Sequence, residues 1–274
     1  LPYTVEYELG NNDEGSVYIG NVYGCTDPLA ENYDSDANID DGSCIYPSNG
    51  NFVLNFDGID DVVSIAQSIT NQPEKLTVIT DLKLTRLDNY LDGQSNIISE
   101  DQNGQWSIGY DMPLQSIFFS VKVGSNWYKV FSPAQLNQWQ QVKGVYDRSS
   151  NLISIYIDGQ LIDSRNDVPN SSLAEYNRPF GIMGINDGVS QKNVQGIIDN
   201  LIIIEDALVS SGAVHYDLEN LDLSSSDKIL AFYKFNAGEG SILYDYSGNQ
   251  NHGTIYGATW EEYQEDIYGC TDSL

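Results

Sequence analysis

The sequence predicts an all-β protein whose main part is an antiparallel β-sandwich of the jelly-roll kind. Three observations lead to this prediction. Apolar and polar residues alternate over many short stretches, polar turn residues separate the stretches at regular intervals, and an Asp-Gly pair stands between two of them. Hydrophobic residues make up 41% of the chain and aromatic residues 11%, which is enough for a packed core. We expect at most one short helix, around residues 206–212.

Strands are predicted in order from residue 51 onwards. Phe52, Leu54 and Phe56 share one face of the first strand, and LTVITDLKL (76–84) alternates in the same way. ISIYIDGQLIDS (153–164) predicts a hairpin with Asp158-Gly159 at its turn. GIIDNLIII (196–204) is apolar on both faces and predicts a central buried strand. The stretches ILAFYKFN, SILYDYSG and HGTIYGATW complete the run.

A short sequence occurs twice, near the two ends of the chain. YGCTD stands at 23–27 and again at 268–272, which predicts one unit of a tandem array. Cys25 and Cys44 bound an acidic loop and are expected to form a disulfide, whereas Cys270 would pair within the next unit. The predicted organisation is a preceding module or connector over 1–22, a linker repeat over 23–46, the sandwich over 51–262, and the next linker repeat from 263 to 274.

The chain is strongly acidic, with 40 Asp and Glu residues against 12 Lys and Arg and a net charge of −28. This balance repels nucleic acid and anionic membranes and attracts cations. No apolar run approaches the ~18 residues of a membrane span, so direct membrane insertion is not expected. A disulfide persists in oxidising compartments, which predicts a secreted, extracellular or cell-surface protein.

Four stretches resemble the laminin-G-like, concanavalin A-like jelly rolls of lectins and glucanases. LNFDGIDDVVSI (54–65) is similar to their opening strand pair, and residues 138–164 are similar to their Trp-containing strand and the hairpin after it. Residues 196–212 resemble their final inner strand and short helix. Residues 230–260 resemble a family element with the pattern Asp-x-Ser-Gly-Asn-x-Asn-His-Gly. In the family this element often precedes the sandwich strands in the sequence, whereas here it follows them. We still expect it to add a strand beside residues 52–56. The segment 24–44 resembles an acidic repeat between modules of large secreted and surface-attached bacterial proteins.

Two regions are candidate sites for Ca²⁺, the expected cofactor. The acidic loop alternates oxygen ligands, but neither register places Gly and Glu as an EF-hand requires, and a solvated linker held by its disulfide is the alternative. Its candidate ligands are Asp27, Asp34, Asp36, Asn38, Asp40 and Asp41. In the sandwich, the resemblance implies a structural calcium near the joined ends, with hydrogen-bonded turns as the alternative. The candidate ligands there are Asp57, Asp60, Asp61, Asp245, Asn249 and Asn251.

Four aromatic residues in neighbouring predicted strands are candidates for a sugar-binding platform: Trp106, Tyr110, Trp127 and Tyr128. Lectin sites hold sugar rings by stacking on exposed aromatic side chains and by directed hydrogen bonds. A place in the core is the alternative for each of the four. Because Trp127 and Tyr128 are adjacent, a strand would point them to opposite faces. Trp139 and Trp260 are assigned to packing.

The sequence does not predict an enzyme. Glucan-cleaving relatives carry a Glu-x-Asp-x-x-Glu cluster that is missing here, and His215 and His252 lack a nucleophile partner. We expect a non-catalytic repeat module of a large bacterial adhesin, stabilised by calcium, which binds carbohydrate or surface ligands and the neighbouring repeats of its own chain. The alternatives are a purely structural spacer or filament unit, and an accessory carbohydrate-binding module of a secreted polysaccharide-degrading enzyme.

Overall fold

The chain forms two compact units, Leu1–Pro47 and Ser48–Leu274, in a computed structural model. The structure describes residues 20–86, 93–99, 104–174, 179–185, 193–209, 216, 218 and 228–263. All regular elements of the described residues are strands, which confirms the all-β prediction. No helix in these ranges is long and apolar enough to cross a membrane. The predicted repeat at 268–272 and His215 lie outside the described residues.

The N-terminal unit is built around one disulfide. Cys25 and Cys44 are bonded, as predicted, with their Cα atoms 4.7 Å apart. Strand β1 (Tyr23–Gly24) lies just before Cys25 and pairs in parallel with β2 (Ile39–Asp40), which lies inside the loop that this bond closes. The hydroxyl of Tyr46 donates to Oδ2 of Asp27 at 2.6 Å, and both side chains are buried. A small core therefore forms beside the bridge.

The second unit contains the strands of the sandwich, numbered here in chain order. They are β3 (Phe52–Asp57), β4 (Val62–Ile65), β5 (Lys75–Arg86), β6 (Gln94–Ser99), β7 (Trp106–Asp111), β8 (Ser116–Val123), β9 (Asn126–Pro133), β10 (Gln140–Asp147), β11 (Leu152–Ile157), β12 (Gln160–Arg165), β13 (Phe180–Ile182), β14 (Gln195–Ile204), β15 (Ile229–Tyr233), β16 (Ile242–Leu243), β17 (Gly253–Tyr256) and β18 (Thr259–Glu262).

These strands form two antiparallel sheets. Sheet I has the order β12-β11-β10-β5-β14-β3-β18, with β15 pairing the far half of β14. Sheet II has the order β16-β17-β4-β13-β6-β7-β8-β9. The main core, which joins side chains of both sheets, includes Leu82 and Ile203 of sheet I and Ile108 and Phe119 of sheet II. The predicted sandwich is therefore present.

Several local predictions are confirmed. Asp158 and Gly159 both have positive φ, 49° and 76°, as a type I′ turn between β11 and β12 requires. Strand β14 is central in sheet I, with β5 on one side and β3 and β15 on the other. After the trailing Asp-x-Ser-Gly-Asn element, β17 pairs with β4 and β18 pairs with β3, where Trp260 lies opposite Leu54.

The predicted helix is wrong over the described residues 206–209, which are not helical, and 210–212 lie outside the described residues. The side chain of Thr77 explains the difference. Its hydroxyl donates to the carbonyl of Asp206 at 2.6 Å and accepts the N–H of Leu208 at 2.9 Å. The carbonyl of Asp206, which in a helix would accept the N–H of residue 210, is bonded to strand β5 instead, and the segment is tied to that strand.

Candidate functional site

The outer face of sheet II is defined by the meander of strands β6 to β9. Ile108, Phe119, Val121 and Val130 of these strands belong to the main core. Alternate residues of a strand point to opposite faces, so the residues between them point away from the core. Cross-strand pairing then places the outward residues in rows, one of which contains Ser107, Ser120 and Lys129 in register.

A polar and aromatic cluster lies on this face, and we call it the outer-face patch: Gln94, Asp111, Phe118, Lys122, Trp127 and Lys129. Gln94 is exposed, the two lysines and Trp127 are half-buried, and Asp111 and Phe118 are buried. Lys129 donates from Nζ to Oε1 of Gln94 at 2.5 Å, and Gln94 donates from Nε2 to Oδ2 of Asp111 at 2.9 Å. The ammonium of Lys129 also lies 4.2 Å from the ring centroid of Phe118. Burial lowers the pKa of Lys129, and the charge of Asp111 partly opposes this shift.

Trp127 is the tryptophan that the structure places on the outer face. It lies opposite Lys122, whose Nζ is 5.6 Å from the indole centroid, and it is half-buried. Tyr128 lies opposite Val121 and packs against the core, with the guanidinium of Arg165 5.2 Å from its ring. The two neighbours therefore point to opposite faces, as the sequence predicts.

The other two predicted platform residues belong to the core, and this corrects the prediction that they are exposed. Trp106 is 0% exposed; its Nε1 donates to Oγ1 of Thr70 at 3.0 Å and its ring lies 5.7 Å from that of Phe180. Tyr110 is 2% exposed, and burial raises the pKa of its hydroxyl. Neither side chain offers a face to a ligand at the surface.

The sequence reasoning missed Gln94, Asp111, Phe118, Lys122 and Lys129. One signal could have found the residues of β8 and β9. Gly124 and Ser125 form a two-residue connection, and Gly124 has a φ of 61°. A hairpin with such a turn fixes its register, which pairs residue 122 with 127 and residue 120 with 129. Gln94 and Asp111 come from β6 and β7, and no comparable signal aligns those strands.

The turn between β3 and β4 brings three carboxylates together. Oxygen atoms of Asp57, Asp60 and Asp61 lie within 4.8 Å of one another. Burial and the like charges of Asp57 and Asp60 raise the pKa of Asp61. Oδ2 of Asp61 accepts the N–H of Asp57 at 2.8 Å, and Oδ1 of Asp57 accepts the N–H of Ile59 at 2.7 Å. The cluster therefore keeps carboxylate oxygens that lack a cationic partner within the described residues.

Two amide oxygens near this turn also lack hydrogen-bond donors among the described residues. Asn193 donates from Nδ2 to the carbonyl of Ile59 at 3.1 Å, while its buried Oδ1 accepts nothing. Gln195 lies opposite Asp57 in the sheet, and its buried Oε1 likewise accepts nothing. Calcium binds carboxylate and amide oxygens in sets of about six to eight. The oxygen donors around the turn therefore fit a calcium ion.

The other turn with predicted calcium ligands is held by hydrogen bonds. Oδ1 of the buried Asp245 accepts the N–H groups of Phe232 and Ser247, each at 2.9 Å. Its Oδ2 accepts Oγ of Ser247 at 2.8 Å and the N–H of Asn251 at 2.9 Å. A carboxylate offers about four lone pairs, so Asp245 has none left for an ion. Asn249 donates to the carbonyl of Ile229 at 2.9 Å.

The acidic loop of the N-terminal unit uses its side chains in the same way. Asp34, Asp40 and Asp41 each accept the N–H group two residues further along, at 2.8–3.0 Å. Asn38 accepts the N–H of Val22 at 3.0 Å. Asp36 is exposed. Among the described residues, the turn at 57–61 is where three carboxylates converge. These contacts favour the disulfide-held acidic linker over a calcium loop.

Comparison with known proteins adds a family and a fold. The concanavalin A-like lectin/glucanases superfamily matches residues 57–211. A candidate carbohydrate-binding protein from Bacteroides ovatus has a similar structure, with a TM-score of 0.60 and 15% identity over 81% of this chain. The match spans 62% of the Bacteroides protein. A SAP-like pentraxin from Limulus polyphemus matches with a TM-score of 0.44 and 14% identity, over 58% of this chain and 78% of its own. No curated protein matches the sequence.

Proposed function

Because the chain belongs to the concanavalin A-like lectin/glucanase superfamily, we propose that it is a non-catalytic carbohydrate-binding module whose outer-face patch holds the sugar. One observation carries this proposal. An indole ring, an amide and an ammonium, from Trp127, Gln94 and Lys129, lie on one face of sheet II. Sugar sites combine such a stacking surface with a few fixed polar groups.

The polar groups of the patch are held in place before a ligand arrives. Asp111 accepts from Gln94, and Gln94 accepts from Lys129, so the amide has one orientation. Oδ1 of Asp111 accepts the N–H of Leu114 at 3.1 Å, which fixes the carboxylate in turn. A preorganised site loses less conformational entropy on binding. The indole of Trp127 would stack on one ring of an oligosaccharide while Lys129 and Gln94 bond to oxygen atoms of another of its units.

The same cluster supports binding rather than hydrolysis. Glycosidases use a pair of carboxyl groups that flank the scissile bond. The patch holds one carboxylate, Asp111, and both of its oxygens already accept hydrogen bonds from Gln94 and Leu114. We assign Asp111 a positioning role.

We further propose that Asp57, Asp60 and Asp61 hold a structural Ca²⁺, with Asn193 and Gln195 able to contribute amide oxygens. Bound calcium would neutralise the like charges that raise the pKa of Asp61. The turn joins β3 of sheet I to β4 of sheet II. Calcium would therefore stabilise the point at which the chain passes between the two sheets.

The wider context that we propose is an extracellular adhesin in which this unit is one repeat and contacts its neighbouring repeats. The disulfide supports an extracellular location, because such bonds persist in oxidising compartments. A structural spacer is the second candidate function, and exposed apolar side chains of the N-terminal unit favour it, because such surfaces mark contact sites. These side chains are Tyr23, Leu29, Tyr33 and Ile45.

A glycan-array screen of the whole chain, run in millimolar calcium and again in chelator, tests the proposal. Retention of glycans is expected in calcium. Retention that disappears in chelator would show that glycan binding depends on calcium. A chain that retains no glycan in either condition would contradict the carbohydrate-binding function and favour the spacer.

A further inference from the structure

Basic residues are scarce in this chain, yet two of them are neighbours in the outer-face patch. The sequence has 12 Lys and Arg residues against 40 acidic ones. In the β8–β9 hairpin, Lys122 lies opposite Trp127 and Lys129 lies opposite Ser120. The two lysines are therefore diagonal neighbours on one face, and the Cα atoms of such pairs stand roughly 7–8 Å apart. With two lysines and one carboxylate, Asp111, the patch carries a net positive charge on an otherwise acidic molecule.

Lys129 differs from several other basic residues in its partners. Arg148, Arg165 and Lys228 each form an ion pair, with Glu74, Asp167 and Asp206 respectively. Lys129 instead bonds to the neutral amide of Gln94, and no carboxylate of the described residues lies within ion-pair distance of it.

The surroundings of Lys129 favour an anionic partner. Burial disfavours its charged form and lowers its pKa, and Asp111, whose oxygens bond to Gln94 and Leu114, opposes this only in part. A ligand anion at the ammonium would compensate the lost hydration and form a charge-assisted hydrogen bond. A neutral hydroxyl group would compensate it less.

The net charge of −28 does not prevent such binding. At physiological ionic strength the Debye length is about 8 Å, so exposed carboxylates on distant surfaces are largely screened at the patch. Interactions within the patch are partly desolvated and are screened less. The charges of the patch itself, the two ammonium groups and the carboxylate of Asp111, therefore determine which ligand charge is preferred.

We infer that the outer-face patch selects an acidic glycan, in which a carboxylate or sulfate group bonds to Lys129 beside Lys122 while a sugar ring stacks on Trp127. This inference rests on the proposed carbohydrate-binding function and adds the chemical class of the ligand. Carboxylated and sulfated sugars present the same chemistry to an ammonium group, and the test separates them.

The test is an array that carries neutral, carboxylated and sulfated glycans, probed with the whole chain and with three variants. Lys129→Gln and Lys122→Gln each remove one charge from the patch. Lys83→Gln is the matched control, since it removes the same charge from a half-buried lysine of β5 in sheet I. Thermal melts establish that each variant is folded.

We expect acidic glycans to be retained, with affinity that falls as salt is raised. Lys129→Gln should weaken binding about tenfold or more, as the loss of a hydrogen bond between charged groups does. Lys122→Gln should weaken it less, and Lys83→Gln should leave it unchanged. If Lys129→Gln does not fold, the affinity of Lys122→Gln and the salt dependence of wild-type binding still test whether the patch selects anions.

Two results would overturn the inference in different ways. Retention of neutral glycans alone, with equal affinity in Lys129→Gln, would show that the patch does not select anions and would leave the carbohydrate-binding function intact. Retention of no glycan of any class would overturn both. Comparing the retention of carboxylated and sulfated glycans identifies which of the two anionic groups the patch binds.

Discussion

Replacement of Asp245 by Ala is predicted to be one of the most destabilising single changes in the sandwich. Its carboxylate accepts four hydrogen bonds and links β15 of sheet I to the segment before β17 of sheet II. Three of the donors are backbone N–H groups, of Phe232, Ser247 and Asn251. Asp245→Ala leaves these three without their acceptor at a buried site.

The magnitude follows from the donors that lose a partner. Each buried polar group left unsatisfied costs about 1–3 kcal/mol, and entry of water into the space would recover part of that. We therefore expect Asp245→Ala to lower the free energy of unfolding by about 3–5 kcal/mol, in line with other broken buried hydrogen-bond networks.

Urea unfolding followed by tryptophan fluorescence measures this loss. Glu239→Ala is the control, because Glu239 is exposed and lies in the same part of the chain; it should change the unfolding free energy by less than about 0.5 kcal/mol. A loss below about 1 kcal/mol in Asp245→Ala would refute the network as described. Wild-type protein should also keep these hydrogen bonds in chelator, because they need no ion.

Three further predictions concern other parts of the sandwich. Gly257→Ala should destabilise the sandwich by about 2–4 kcal/mol in thermal melts, because φ is 76° at this residue and a Cβ would overlap Oδ1 of Asp61. The control is Gly240→Ala, where φ is similar but no atom lies near the added Cβ, and it should cost only about 1 kcal/mol. Asp60→Asn should abolish any rise in melting temperature on calcium addition, and an equal rise in wild type and variant would contradict the calcium proposal. Burial lowers the pKa of Lys143 to about 8. Between about pH 8 and about pH 10.5 the unfolded chain then binds more protons at this site than the folded chain, so this lysine contributes a rise in stability with pH of about 1–3 kcal/mol. Urea titrations of wild type and Lys143→Met across this range should differ by that contribution.

The fold was largely predictable because its strongest signals are local. The Asp158-Gly159 turn needs two residues with positive φ, and that pair of residue types supplies them. Strand β14 reads as central because both of its faces are apolar, and a strand buried on both faces needs neighbours on both sides. Neither inference depends on distant parts of the chain.

The platform could not be predicted residue by residue. Every position of β7 is buried, including Ser107 and Gly109, so alternation there does not reveal which face meets the core. Trp106 and Tyr110 fill that core, and their exposure depends on what packs over them rather than on the strand itself. The predicted helix at 206–212 failed for a related reason, since Thr77, far away in sequence, bonds the backbone of residues 206 and 208.

The patch residues were missed because their roles depend on register. The sequence has eight lysines, and nothing in it distinguishes Lys129 from the others. Its contact with Gln94 of β6 can be inferred only after strands β6 to β9 have been aligned. Asp111 was one of many acidic residues, and its value lies in fixing the Gln94 amide. Such arrangements become visible when four strands have been placed.

The most direct test of the account compares wild type with Trp127→Ala on the glycan array, in calcium, with melting curves of both proteins. The account predicts that wild type retains glycans and that the variant, equally folded, loses at least about tenfold in affinity, as the loss of a stacking ring does. Equal retention by both proteins would place the sugar site elsewhere on the molecule. Retention by neither would contradict carbohydrate binding itself.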